Sequence, residues 1–337
     1  MSLLRYVLKR IALILPTLFG VTVVMFAISY ILPGNPAAVR LGGTPAISQL
    51  KEMEARMGLD KPVYIQYLIF ASQLLSGDLG QCWMTGRPVI EDLAIRFPAT
   101  LELALAGFLI MIVVGIPLGV VSAMNRNKLI DHVTRVVSIG GLSIPLFWLG
   151  LIVVYFFYFI LRWFPAPIGR LDPGIEPPVR VSGMFIVDSL IAGNWTTLSQ
   201  SVMHIILPAV TLGFVNLAPV ARMVRSGVLD ILGSEYIRAE RAAGIPENQI
   251  YRDALRNAMI PVLTVLGLSF GYLMAGIIVL EQVFSWPGIG LYALQAIATN
   301  DHNPMQAYIL IMTVVFILTS LLVDILYAFI DPRIRYK

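Results

Sequence analysis

Charge is scarce in this sequence. Of its 337 residues only 13% are Asp, Glu, Lys or Arg, about half the share of an ordinary soluble domain, and so little charge on so apolar a chain excludes intrinsic disorder. Cysteine is nearly absent: Cys82 stands alone, so no disulfide forms within the chain and the redox compartment is left open. The three histidines, His132, His204 and His302, fall too far apart in the expected topology for a metal site or a triad. No Ser/His/Asp or metalloprotease spacing supports an enzyme, and no G-x-x-x-x-G-K-S/T loop is present to hold ATP. The 27 glycines and 21 prolines lack the period of a collagen-like chain. What abounds is apolar residues, 58% of the chain, with a mean hydropathy of +0.81. Lipid is the solvent that such a composition fits.

A helix crossing about 30 Å of hydrocarbon needs about 20 largely apolar residues. Six runs qualify, at 11–32, 101–124, 136–161, 198–220, 259–280 and 307–330. The fourth is interrupted by Pro208, Gly213 and Pro219, which a span with helical neighbours tolerates. Arg5, Lys9 and Arg10 ahead of the first run look like the start of a signal peptide. That run is about twice the usual apolar length and no A-x-A site closes it, so it reads as an uncleaved anchor.

With a cytoplasmic N-terminus, the inner segments carry Arg5, Lys9 and Arg10, then Arg126, Lys128 and Arg135, then Arg222, Arg225, Arg238, Arg241, Arg252 and Arg256, and finally Arg333, Arg335 and Lys337. These are fifteen of the 24 basic residues, and the other nine are spread over much longer outer segments. The positive-inside rule therefore places both termini in the cytoplasm. It also accounts for the pI of 9.2 without a nucleic-acid partner. The expectation is an all-α integral membrane protein, a single six-span transmembrane domain over residues 1–337. Segment 34–98 is an outer segment with one or two short helices, since Ile47, Leu50, Met53 and Met57 recur at helical spacing and Gly58 offers a stop. Segment 162–193, rich in proline and glycine, reads as an ordered loop over the pore mouth.

One inner segment is out of proportion. Residues 222–257, ahead of Pro261, are far longer than a connection between two spans requires. Val228 to Ala243 has the composition of a helix and ends at Gly244, suited to a left-handed turn. Pro246 and Glu247 then fit the start of a second helix running to Asn257. Six arginines are mixed with Asp230, Glu235, Glu240, Glu247 and Asp253, a surface better matched to a protein than to anionic lipid.

This segment resembles the EAA loop of the membrane subunits of bacterial ABC importers, in the form carried by dipeptide and oligopeptide permeases. LPGNPA at 32–37, GLDKP at 58–62, GDLG at 77–80, ATLEL at 99–103, FSWPGIG at 284–290 and DPRIRYK at 331–337 are similar to that family in the same order. The likeness is to the first of the two permease subunits. It implies the type I importer permease fold and a coupling element made of Arg238, Ala239, Glu240, Arg241, Ala242, Ala243, Gly244, Ile245 and Pro246. That element would dock on a separate ATPase, with Gly244 supplying the turn and Ala242 and Ala243 permitting close approach. The implied partners are a second homologous permease, one or two ATPase subunits, an extracytoplasmic substrate-binding protein and the lipid bilayer of the bacterial inner membrane. ATP and magnesium would be used by the ATPases and no cofactor bound by this chain. Two departures stand out. Arg238, Ala239 and Glu240 occupy the places of Glu-Ala-Ala, so an ion pair from a leading acid is not carried over, and Asn35 stands where aspartate is common.

Several residues in or near the spans could line a path or act as a gate. Pro145, after Gly140, Gly141 and Ser143, marks a kink that opens a cavity or merely allows close helix packing. Asp324 reads as a proton relay or as a structural hydrogen-bonding group. Glu102 is expected to reach the interface. Glu281 either faces substrate or binding protein or is a solvated helix-end carboxylate, and Trp286 is a gate, a docking residue or an interfacial belt tryptophan. The runner-up cargoes are nickel chelates, glutathione-like compounds and oligosaccharides. A proton-coupled transporter using Asp324 and Glu102 is the rival of another class, although the inverted repeat it requires is not visible. A channel or scaffold would leave the long inner segment unexplained.

Overall fold

The computed structural model describes residues 3–31, 36–41 and 45–330; Asn35 and the tail motif at 331–337 lie outside them, as do the last residues of both termini. Among the described residues the regular structure is helical, apart from one isolated antiparallel bridge between Gln81 and Pro88. Helix α1 covers Leu3–Ile31, and three short helices follow it, α2 (Pro36–Leu41), α3 (Ile47–Met57) and α4 (Val63–Leu75), where one or two were expected. Gly58, at φ +69, ends α3 as its position suggested. The last residues of that segment belong to α5 (Val89–Met124), which starts well before the expected run at 101.

The third run does not merely kink. It is broken into α6 (Leu129–Ser143) and α7 (Leu146–Val153), with Ile144 extended between them at φ −88 and ψ 125. Proline forces this, because it lacks an N–H and its ring pushes the preceding residue out of the helical region. From Val154 to Ile160 the chain continues α7 as a wider π-helical stretch, and its aromatic run leaves Trp148, Tyr155, Phe156 and Phe159 exposed on the outside of the chain. The proline-rich loop that follows contains a helix that composition did not reveal, α8 (Phe185–Ala192). Helix α9 (Trp195–Leu232), α10 (Glu235–Ala242), α11 (Glu247–Val283), α12 (Ile289–Ala298) and α13 (His302–Ile330) complete the chain. Four helices, α5, α9, α11 and α13, are long and apolar enough to cross a membrane.

The core is built from α5, α9 and α11. Towards the α12 end it holds Leu103, Leu212, Leu273, Ile277 and Leu280, and towards the α10 end Met111, Val220, Val224, Ala258 and Val262. Lipid tails are as apolar as leucine, so helices in a bilayer gain by close packing rather than by burial from water. Glycines make that approach here. A β-carbon on Gly107 would lie 2.9 Å from Leu212, one on Gly213 would lie 2.8 Å from the Gly107 carbonyl oxygen, and one on Gly119 would lie 2.6 Å from Val224.

At the α10 end Asp131 ties α6 to α9. Its carboxylate accepts from Arg225 Nε (2.7 Å) and Nη2 (2.8 Å), Ser122 Oγ (2.6 Å) and the Asn127 amide (3.0 Å). The Arg225 guanidinium, with the Ser122 and Asn127 bonds, outweighs burial and holds this carboxyl well below the usual carboxylate range.

Replacing Gly119 by valine should overpack the α5–α9 contact and lower stability by about 1–3 kcal/mol. Gly140→Ala, whose added carbon meets nothing within 4 Å, should not lower the thermal midpoint of the purified protein. Equal midpoints for wild type and the Gly119 variant would contradict the packing account.

Candidate functional site

Helix α9 stops at Leu232, and Gly233 and Ser234 turn the chain, Ser234 being extended at φ −76 and ψ 154. The expected helix over 228–243 is thus two helices, the end of α9 and α10. After α10 the chain closes on Gly244 at φ +77. The Gly244 amide donates to the Arg241 carbonyl (3.0 Å) and the Ile245 amide to the Glu240 carbonyl (3.1 Å), the two bonds of a Schellman turn. Pro246 then caps α11, which starts at Glu247, and its carbonyl accepts from the Gln249 (2.9 Å) and Ile250 (3.2 Å) amides.

Arg241 reaches over the turn and grips Glu247 with Nε (2.9 Å) and Nη2 (3.3 Å). This pair is half exposed and adds little stability, although it bridges α10 and α11 across the turn. Ile237 and Ile250 are fully buried beneath the turn. Arg238, Ala239, Arg241, Ala242, Ala243, Gly244 and Pro246 are exposed, and Glu240 and Ile245 are half-buried. The nine expected coupling residues therefore lie together at the end of α10 and the turn into α11, small-sided along 242–244, where a β-carbon on Gly244 would meet nothing within 4 Å. The second expected helix does not stop at Asn257. It is the start of α11, which runs on to Val283 through Pro261.

At the other end of α11 a buried polar clasp joins it to α5 and α12. Thr100 Oγ1 donates to Glu281 Oε1 (2.6 Å) and accepts from the Ile289 amide (2.8 Å), and Glu281 Oε2 accepts from the Leu291 amide (2.8 Å). Trp286 Nε1 donates to the Ala99 carbonyl (2.8 Å). Gly288 has no room for a side chain, because a β-carbon there would run into Glu281 and Thr100. The FSWPGIG turn is thus shaped to its neighbours. Glu281, expected as a solvated or substrate-facing carboxylate, is instead fully buried, because the turn's own amides and Thr100 solvate it. Trp286, expected at the pore mouth or in an interfacial belt, is 1% exposed and part of the core.

Glu102 is a further correction. It does not reach the interface: it pairs with Arg170 at 2.5 Å and accepts from the Ile186 amide at 2.7 Å, both partners coming from the loop and helix between α7 and α9. Arg170 also donates to the Gly183 carbonyl (3.1 Å) and lies 3.5 Å over the Phe185 ring. Burial lowers the pKa of Arg170, and Glu102 opposes it. Burial pushes Asp188 up, but bonds from Ser182, Gly183 and Val181 outweigh it and leave the carboxyl below its ordinary value. His204 pins the same loop through the Gly169 carbonyl (3.1 Å) and Asp172 (3.2 Å).

The five expected path or gate residues do not form one group. Glu281 and Trp286 share the clasp, Ser143 and Pro145 are exposed at the α6–α7 break, and Asp324 is half-buried in the last turns of α13. Sequence reasoning held Thr100 and Gly288 only as members of the ATLEL and FSWPGIG motifs, without their roles, and missed Arg170. The available signal was that a buried acid requires a donor, but Thr100 and Glu281 are 181 residues apart.

The region 115–336 matches the model of binding-protein-dependent transport system inner membrane components, and 3–104 matches the N-terminal model of the same membrane components. The chain belongs to this family. Such permeases are the integral inner-membrane subunits of ABC importers, so this permease works with an ATPase and a binding protein. It is 43% identical over 316 residues to a probable D,D-dipeptide transport system permease protein of Escherichia coli strain K12, covering 94% of this chain and 93% of that one. A dipeptide transport system permease protein of Alkalihalophilus pseudofirmus is 39% identical over 335 residues, covering 99% and 100%. A glutathione transport system permease protein of Escherichia coli O6:H1 is 36% identical over 337 residues, with the same coverage.

Thr100→Val in the permease leaves Glu281 Oε1 and the Ile289 amide unpaired in a buried site, at a cost of about 1–3 kcal/mol for each group. A lower thermal midpoint is expected, with recovery in Thr100→Ser. A valine variant as stable as wild type would remove the clasp's structural role.

Proposed function

We propose that this chain is one of two permease subunits that together form the path for di- or oligopeptides delivered by an extracytoplasmic binding protein. The α10 end faces the cytoplasm and both termini lie there. The projection centred on Gly244 docks on an ATPase subunit, which binds the ATP and magnesium. The observation that carries this reading is the continuity of α11, from the exposed turn at Pro246 to the clasp at Glu281. At 1.5 Å per residue its 37 residues span about 54 Å.

A displacement of α10 when two ATPases close on ATP passes through the Arg241–Glu247 grip and the Ile237 and Ile250 contacts into α11. The clasp carries it to α5 and α12. The ATPase dimer supplies the differential interaction that any switch between inward-open and outward-open states requires. Membership of the importer family takes the place of the proton-coupled reading. Peptide cargo is supported by the dipeptide permeases among the relatives, and the glutathione permease at 36% identity keeps glutathione as the second reading.

Gly244→Pro cannot adopt φ +77 and loses the amide bonded to Arg241. In the assembled transporter, uptake and cargo-stimulated ATP hydrolysis should fall by about five- to a hundred-fold, while membrane insertion is unchanged. Uptake at the wild-type rate would overturn the coupling role. Competition of labelled dipeptide uptake by glutathione and by unlabelled peptides separates the two cargo readings.

A further inference from the structure

A cavity of about 210 Å³ lies between α5, α6 and α9 at the α10 end, lined by Ser122, Thr134, Arg135, Ser138, Arg222 and Arg225. Three guanidinium groups face one carboxylate there, since Asp131 is the acid paired with Arg135 and Arg225. Asp131 is already saturated by Arg225, Ser122 and the Asn127 amide. His132 Nδ1, at 3.0 Å from Arg135, adds no negative charge. Arg222 has no partner among the described residues. Thr134 and Ser138 are only 9% and 8% exposed, and their hydroxyls, which line the cavity, have no hydrogen-bond partner among the described residues either.

We propose that this cavity binds a phosphate oxyanion, the headgroup phosphodiester of an anionic phospholipid. Two unpartnered hydroxyls and an unpaired arginine supply donors to an oxyanion, and the net charge of the lining is positive. The cavity sits where α5 ends and α6 begins, near one end of two helices long enough to cross a membrane, α5 and α9. Beside it α6 turns Leu129, Ile130, Val133, Val136 and Val137 outwards, exposed by 44–78%, an apolar strip for the acyl chains. A free phosphate or a peptide carboxylate would use the donors but not that strip.

The test uses the assembled transporter in nanodiscs of phosphatidylcholine with and without phosphatidylglycerol. Lipid retained after gentle extraction is counted by native mass spectrometry, and hydrogen exchange is followed over residues 122–138. Phosphatidylglycerol is expected to be retained and to slow exchange in that segment. Arg222→Gln, and separately Thr134→Val with Ser138→Ala, should each weaken retention about fivefold. These groups have no partner among the described residues, so folding should be unaffected. Equal retention in wild type and both variants, or equal protection by phosphatidylcholine, would overturn the site. Protection by inorganic phosphate alone, as strong as that by phosphatidylglycerol, would overturn the lipid as its occupant. Loss of the second permease from the Arg222 variant with lipid retention unchanged would also overturn it, marking the surface as a subunit contact.

Discussion

One hydroxyl holds three helices together at the α12 end. Thr100 donates to Glu281 and accepts from Ile289, so α5, α11 and α12 meet at its oxygen. An ionisable group at such depth is costly unless the protein replaces its water, and Glu281 receives that replacement from Thr100 and the turn at 288–291. The turn can come so close only because Gly288 lacks a side chain. Glu102 and Arg170 repeat the solution a short way along α5, joining the bundle to the loop ahead of α9. These bonds add to the apolar packing of Leu103, Leu273, Ile277 and Leu280 that holds the α12 end of α11 against α5.

The inner surfaces obey a different constraint. Between α5 and α9 it is the absence of side chains at Gly107, Gly119 and Gly213 that allows backbone to approach backbone, the usual route to helix association in lipid. The α6–α7 break departs from this regularity. Irregular backbone at membrane depth is tolerated where protein or a water-filled space surrounds it, and Ser143 and Pro145 face outwards there.

The projection at Gly244 carries no chemistry of its own. A Schellman turn, an Arg–Glu pair and two buried isoleucines hold α10 against the start of α11. Arg238, which stands where the resembling family has its leading acid, pairs with Glu235 within α10 at 2.7 Å. That charge is engaged one turn back along its own helix.

Local chemistry determined a good deal of this. Scarce charge and long apolar runs identified the membrane as solvent, arginine placement set the expected orientation, and Gly244 with Pro246 marked the turn, because each depends on residues near one another in the chain. Pro145 announced an irregularity for the same reason, and the extended Ile144 before it makes that a break. The partners of Glu102 and Glu281, the burial of Trp286 and the helices α8 and α12 came only with the tertiary structure. A carboxylate's environment depends on which distant donor packing delivers, as Thr100 is delivered across 181 residues. A short helix in a proline-rich loop or after a tight turn likewise takes its stability from the surface it covers rather than from its own propensity.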